Sequence, residues 1–150
     1  MTIGATELPA GPCQSAAARY RDEFGWSCGA LDTEVWIRLA HGAGAVAVDQ
    51  PLAGRLRTTL IAGGITGPVI DCPGRPGYWV FLVSGAGAPA TRSALSAFGC
   101  SYRGGRRLID LPPTQSGCGP LSWIDPPVPD TPFPLLDALL GALDHARARR

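Results

Sequence analysis

The amino-acid sequence predicts an α+β domain: a mixed, largely antiparallel sheet with helices packed against it. Three observations carry that expectation. Segments of helical period alternate with pairs of strand-like apolar runs, in the order helix, strand pair, helix, strand pair, helix, strand pair, helix. Apolar residues make up 45% and charged residues 17%, the balance of a chain that buries a core. The 150 residues are most simply one domain spanning 1–150, and a domain of this size buries roughly 68–70% of the surface its unfolded chain exposes.

Residues 1–13 are expected to be flexible. Gln14 to Phe24 has good helix formers and sets Ala17, Tyr20 and Phe24 on one face, which predicts a first helix stopped by Gly25. Glu34 to Leu39 alternates Val35, Ile37 and Leu39 against Glu34, Trp36 and Arg38, a half-buried strand. Past the turn at His41 to Gly44, Ala45 to Asp49 is a short apolar strand ending in a carboxylate. Pro51 suits the first turn of a second helix reaching about Ile61, with Leu52, Leu56 and Leu60 facing the core and Gly63 and Gly64 ending it. Gly67 to Asp71 and Tyr78 to Val83 are predicted to pair as an antiparallel hairpin. A third helix is expected from about Ala90 to Phe98, then strands at Arg107 to Leu111 and Pro120 to Ile124. The Pro-rich stretch 126–134 connects to a closing helix, Pro134 to Arg147, with a leucine face at Leu135, Leu136, Leu139, Leu140 and Leu143.

The 20 Gly and 15 Pro predict long loops. All 13 basic residues are arginine, and the formal net charge of +1 provides no global field for nucleic acid or an anionic membrane. Binding to either therefore rests on local patches: Arg103, Arg106 and Arg107, or Arg147, Arg149 and Arg150. No apolar run approaches the length of a spanning helix, and the amino terminus lacks a signal pattern. A cytoplasmic protein without membrane contact is expected. Cys13, Cys28, Cys72, Cys100 and Cys118 are too widely spaced for a zinc or redox motif and read as reduced thiols. His41 and His145 have no partner at metal or nucleophile spacing. The four tryptophans are expected to anchor the core.

Tyr102 to Pro127, YRGGRRLIDLPPTQSGCGPLSWIDPP, joins an arginine cluster, an apolar strand, a double proline and a tryptophan-bearing strand. With VAVD at 46–49 and GRPGYWVF at 74–81, this resembles the primase-polymerase domain that opens bifunctional DNA primase/polymerase proteins, in the manner of short, degenerate members from high-GC bacteria. The resemblance runs from about Tyr20 to Pro127. It implies a primase-polymerase-like fold and a site in which carboxylates two residues apart share divalent metal, Mg²⁺ or Mn²⁺. Asp49 matches the first such carboxylate and Pro51 stands at the second. Tyr78 stands where the family has a strand histidine, and the third carboxylate position falls near Ser101. Asp71 and Asp110 are the available substitutes. Three absent groups argue against polymerisation, since losing even one worth ~4 kcal/mol slows a reaction roughly a thousandfold.

Asp49 thus reads either as a metal ligand or as a capping or surface carboxylate. Arg103, Arg106 and Arg107 flank a Gly-Gly turn from which guanidinium groups could clamp phosphates, with Tyr102 placed to stack a base; the plainer alternative is a solvated hairpin. A separate pattern, Gly85, Gly87 and Ala90 as GxGxxA with Asp110 downstream, suits a dinucleotide site only if the preceding strands form a parallel crossover. The leading expectation is a primase-polymerase-like domain that binds nucleic acid or a nucleotide, or acts as a regulatory module, with its catalytic residues largely lost. The alternatives are an active primase/polymerase using Asp49 with Asp71 or Asp110 and divalent metal, and a protein-interaction domain working through the C-terminal helix.

Overall fold

A computed structural model of the chain describes residues 11–40, 42–85, 88–104 and 107–148. Four of the sequence candidates, His41, Gly87, Arg106 and the Arg149–Arg150 end, lie outside them. The described elements are α1 (Pro12–Phe24), β1 (Cys28–Leu31), β2 (Glu34–Arg38), β3 (Ala43–Asp49), α2 (Gln50–Ala62), β4 (Val69–Cys72), β5 (Tyr78–Ser84), α3 (Pro89–Ala97), β6 (Ser101–Gly104), β7 (Leu108–Asp110), β8 (Gln115–Ser116), β9 (Gly119–Pro120), β10 (Ser122–Asp125) and α4 (Leu136–Ala148). The α+β class is as the sequence predicts.

Five strands form the main sheet in the order β10-β4-β5-β3-β6, and β1-β2-β7 form a second, smaller sheet; β8 and β9 make a separate two-stranded ribbon. Every ladder is antiparallel. The parallel component expected of a mixed sheet is confined to an isolated bridge between Ser84 and Leu135. The β4–β5 hairpin forms as predicted, with Ile70 opposite Val80.

The other successive strand runs do not pair with each other. β2 and β3 lie in different sheets, as do β7 and β10. The cause is that both β2 and β3 carry an apolar row that must be covered. Val35, Ile37 and Leu39 from one share a core with Ala45, Ile70, Val80 and Leu82 from the main sheet. Stacking the sheets face to face covers the two rows with each other. β6 accordingly lies in the main sheet and β7 in the small one, so the two do not pair as a hairpin.

Helix α1 lies with the small sheet, burying Cys13, Ala16, Ala17 and Tyr20 in the inter-sheet core. Gly25, at φ 66°, ends it: its N–H bonds to the Arg21 carbonyl at 3.0 Å and the Trp26 N–H reaches back to the Tyr20 carbonyl at 3.4 Å, a left-handed cap that glycine adopts without strain. Helices α2 and α4 cover the opposite face. Ala53, Leu56 and Leu60 meet Leu136, Leu139, Ala142 and Leu143 over Val46, Val48, Phe81 and Val83. Most of the leucine face of α4 is therefore spent on the core, and only Leu135, 64% exposed, stands clear of it. No described helix is long and apolar enough to cross a membrane.

Candidate functional site

Between the two sheets, at the end where β3 finishes and β5 begins, the packing leaves a cavity of about 210 Å³. Its origin is readable in β3. The residues that face the small sheet are Ala43, Ala45 and Ala47, while the opposite face carries Val46 and Val48. Alanine methyls fill less depth than the valines behind them, so the cavity floor is Ala45, Ala47 and Val80.

Register assembles the walls. Ala45 pairs with Arg103 on β6, Ala47 with Val80 on β5 and Asp49 with Tyr78, and directly paired residues share a face. Tyr78 and Arg103, separated by 25 residues in the chain, thereby line one cavity together with Cys72. Tyr78 is 41% exposed. Asp110 and Glu34 also line it; each alternates with buried neighbours on its strand, which puts both at the mouth rather than in the core. Thr114, Gln115 and Ser116 form the remaining edge.

The double proline owes its place to this wall. The Tyr20 hydroxyl donates to the Pro112 carbonyl at 2.6 Å and accepts from the Trp123 indole N–H at 3.1 Å. Thr114, buried, donates its hydroxyl to the Val35 carbonyl and accepts from the Val35 N–H, both at 2.9 Å. One loop is thus pinned to α1 and β2, and through the Tyr20 hydroxyl to Trp123 on β10.

Burial sets the acidities in the cleft. It pushes the Cys72 thiol up to about 11, with Asp71 and Asp110 adding to the rise and the Tyr78 hydroxyl and Arg103 opposing it. A thiol of that acidity is protonated at neutral pH and is a poor nucleophile. The Tyr78 phenol is raised as well, chiefly by burial and by its Cys72 neighbour, while Arg103 pulls it down. Tyr78 therefore remains a neutral hydroxyl, able to donate and accept.

The other sequence candidates are not brought to this cleft. Asp49 is exposed and occupies the cap position of α2, with φ −60° and ψ 144°, though its side chain makes no capping hydrogen bond. Pro51 sits in the first turn of that helix, where a missing N–H costs nothing. Asp71 pairs with Trp79, on the helix-covered face, and its carboxylate accepts from Gln50 Nε2 at 3.5 Å. Tyr102 faces Val46, away from Arg103. Its hydroxyl donates to the Gly85 carbonyl at 3.0 Å, its ring lies against Gly44 and Gly104, and the Arg92 guanidinium stands 5.4 Å from its centroid. With its ring so occupied, Tyr102 packs the sheet and is not placed to stack a base. Arg107 is exposed at the start of β7, its carbonyl accepting from the Leu39 N–H. Among the described residues no three His, Cys, Asp or Glu side chains gather closely enough to hold a metal ion. Asp49, Asp71 and Asp110 as placed do not fit a shared Mg²⁺ or Mn²⁺ site.

The dinucleotide pattern loses its context too. β5, which precedes Gly85, lies between β4 and β3 and is antiparallel to both, so no parallel crossover presents a helix N-terminus to a pyrophosphate. Sequence reasoning overlooked Ala45, Ala47, Glu34 and Cys72. The run of small residues on alternate positions of AGAVAVD is the signal that a hollow, rather than a filled, sheet face was encoded. No protein-family model matches the chain, and neither a curated protein nor a solved structure is significantly similar to it.

Proposed function

We propose that this chain is a primase-polymerase-like binding domain that takes a nucleotide, or the end of a nucleic-acid strand, in the inter-sheet cleft and performs little or no phosphoryl transfer. The meeting of Arg103 and Tyr78 in one alanine-floored cavity supports this reading most strongly. A guanidinium offers paired donors to a phosphate, and a neutral phenol beside it offers a hydroxyl to sugar or phosphate oxygen and an aromatic edge to a base. The 210 Å³ volume suits the phosphate-bearing end of such a ligand, with the remainder lying across the mouth. Dispersed carboxylates speak against transfer, because two-metal chemistry needs ligands that converge on ions about 4 Å apart.

Titration with a nucleoside triphosphate and with a short single strand, read by calorimetry, tests the proposal. Saturable binding that falls at least tenfold in Arg103→Ala and in Tyr78→Ala is the expected result. Unaltered affinity in both variants, or no binding by the wild type, would overturn it. Primer extension is the companion assay: incorporation abolished by Asp49→Ala would establish an active polymerase instead.

A further inference from the structure

A much larger cleft lies beyond the opposite end of the sheet, and the proposed nucleotide site makes no use of it. About 900 Å³ in volume, it opens between the C-terminal ends of α1 and α2 and is roofed by the Pro-rich segment 126–134. The lining includes an aromatic group that local sequence does not link. Phe24 and Trp26 have ring centroids 5.0 Å apart, and Phe133, more than a hundred residues later, closes edge-on over Trp26 at 5.8 Å. Each of the three is only partly buried; Trp26 also packs against Tyr20 at 5.6 Å and Trp123 at 6.5 Å, so the cluster offers a further occupant its exposed apolar edge. Ile61 and Val128, 47% and 61% exposed, extend the apolar rim. Volume and lining match a pocket for a small organic molecule.

Charge selects the class. Among the described residues Arg57 is the one basic side chain on the wall, and it is already engaged: Nε and Nη2 donate to the two oxygens of Asp125 at 2.7 and 2.8 Å. That bidentate pair cancels its own charge. Glu23 and Asp130 remain, both exposed at the lining and neither ion-paired among the described residues. Glu23 to Gly25 closes α1, and Leu60 and Ile61 lie in the last turn of α2, so two negative helix ends add to the same sign. An apolar, aromatic wall beside uncompensated negative charge complements a cation carried on an apolar body. We infer that this cleft binds a small organic amine or quaternary ammonium carrying an aromatic or aliphatic group, its apolar part against Trp26 and Phe133 and its cationic head toward Glu23 and Asp130.

A matched series tests this: 4-phenylbutylammonium, 4-phenylbutanol and 4-phenylbutyrate, titrated calorimetrically and by the shift of the Trp26 indole N–H in ¹H–¹⁵N spectra. The ammonium compound is expected to bind at least tenfold more tightly than the carboxylate, with the alcohol between. Glu23→Gln and Asp130→Asn, surface changes that keep the fold, should each weaken the ammonium severalfold and leave the alcohol unchanged. Trp26→Leu should weaken all three. Arg103→Ala should have no effect, which separates this site from the inter-sheet cleft. Tighter binding of the carboxylate, equal binding of all three, or no Trp26 shift with any of them in the folded wild type would overturn the assignment.

Discussion

Replacing Tyr20 by Phe removes one oxygen atom and leaves two groups without their partner. The ring is 2% exposed, and the hydroxyl is shared by the Pro112 carbonyl at 2.6 Å and the Trp123 indole N–H at 3.1 Å. An unsatisfied buried polar group costs about 1–3 kcal/mol. Pro112 is buried and bears the full cost, whereas Trp123 is half-buried and recovers part of its loss from water. A total of about 2–3 kcal/mol follows, equivalent to a fall in Tm of roughly 6–9 °C at about 3 °C per kcal/mol for a chain of this size. Urea denaturation followed by far-UV circular dichroism measures it, with the m-value checked for constancy. The pinned loop also forms one edge of the inter-sheet cleft, so Tyr20→Phe should weaken nucleotide binding even where the protein is fully folded. A change in stability below about 0.5 kcal/mol, the size typical of a neutral surface substitution, would show that the hydroxyl does not hold the double proline and would refute the reasoning.

Gly44→Ala would place a methyl within 2.5 Å of the Tyr102 hydroxyl oxygen; overpacking should cost about 1–3 kcal/mol, and the same change in a Tyr102→Ala background should cost much less, a double-mutant cycle read by denaturation. Thiol accessibility gives a second check: Cys118, exposed, should react quickly with a thiol reagent in the native state, while buried Cys13, Cys72 and Cys100 should wait for unfolding. Alkali should destabilise the fold. Burial raises Cys28, Cys72 and Cys100 from 9.0 to about 11, so between those values the unfolded chain releases protons the folded one keeps, and Tm should decline from about pH 9 upward. Single-strand affinity should fall with salt, and Arg103→Ala should reduce the log-log slope by about 0.7, the share of one phosphate contact.

Local signals were enough to read the helices and the β4–β5 hairpin from the sequence. Gly25 and Gly63 ended helices where expected, and the Leu52, Leu56 and Leu60 spacing marked the buried face of α2, although Leu52 is only partly covered. Partner choice was not legible. Whether the alternating row of β2 lies beside β3 or faces it cannot be told from the row itself, because both arrangements bury Val35 and Ile37; the outcome depended on β1, β6 and β7, and the first two are short segments with little pattern of their own. β1 is four residues, Cys28–Leu31, without alternating burial, and β6 is made of a serine, a tyrosine, an arginine and a glycine. The candidate site was half legible for the same reason. Tyr78 and Arg103 were singled out on separate grounds, but only long-range register joins them, and the same register carries Tyr102 and Asp71 to the opposite face. The Arg57–Asp125 pair, 68 residues apart, has no local signature. Aromatic residues clustered at the end of α1, followed much later by Phe133 in a proline run, were the nearest visible trace of the larger cleft.

The inter-sheet cleft can be interrogated most directly by chemical-shift mapping of the isotopically labelled chain during titration with a non-hydrolysable nucleoside triphosphate. Saturable shifts concentrated at Ala45, Ala47, Tyr78 and Arg103, and absent in Arg103→Ala, are predicted. Shifts confined to the Pro-rich end of the molecule, or none at millimolar nucleotide, would contradict the account.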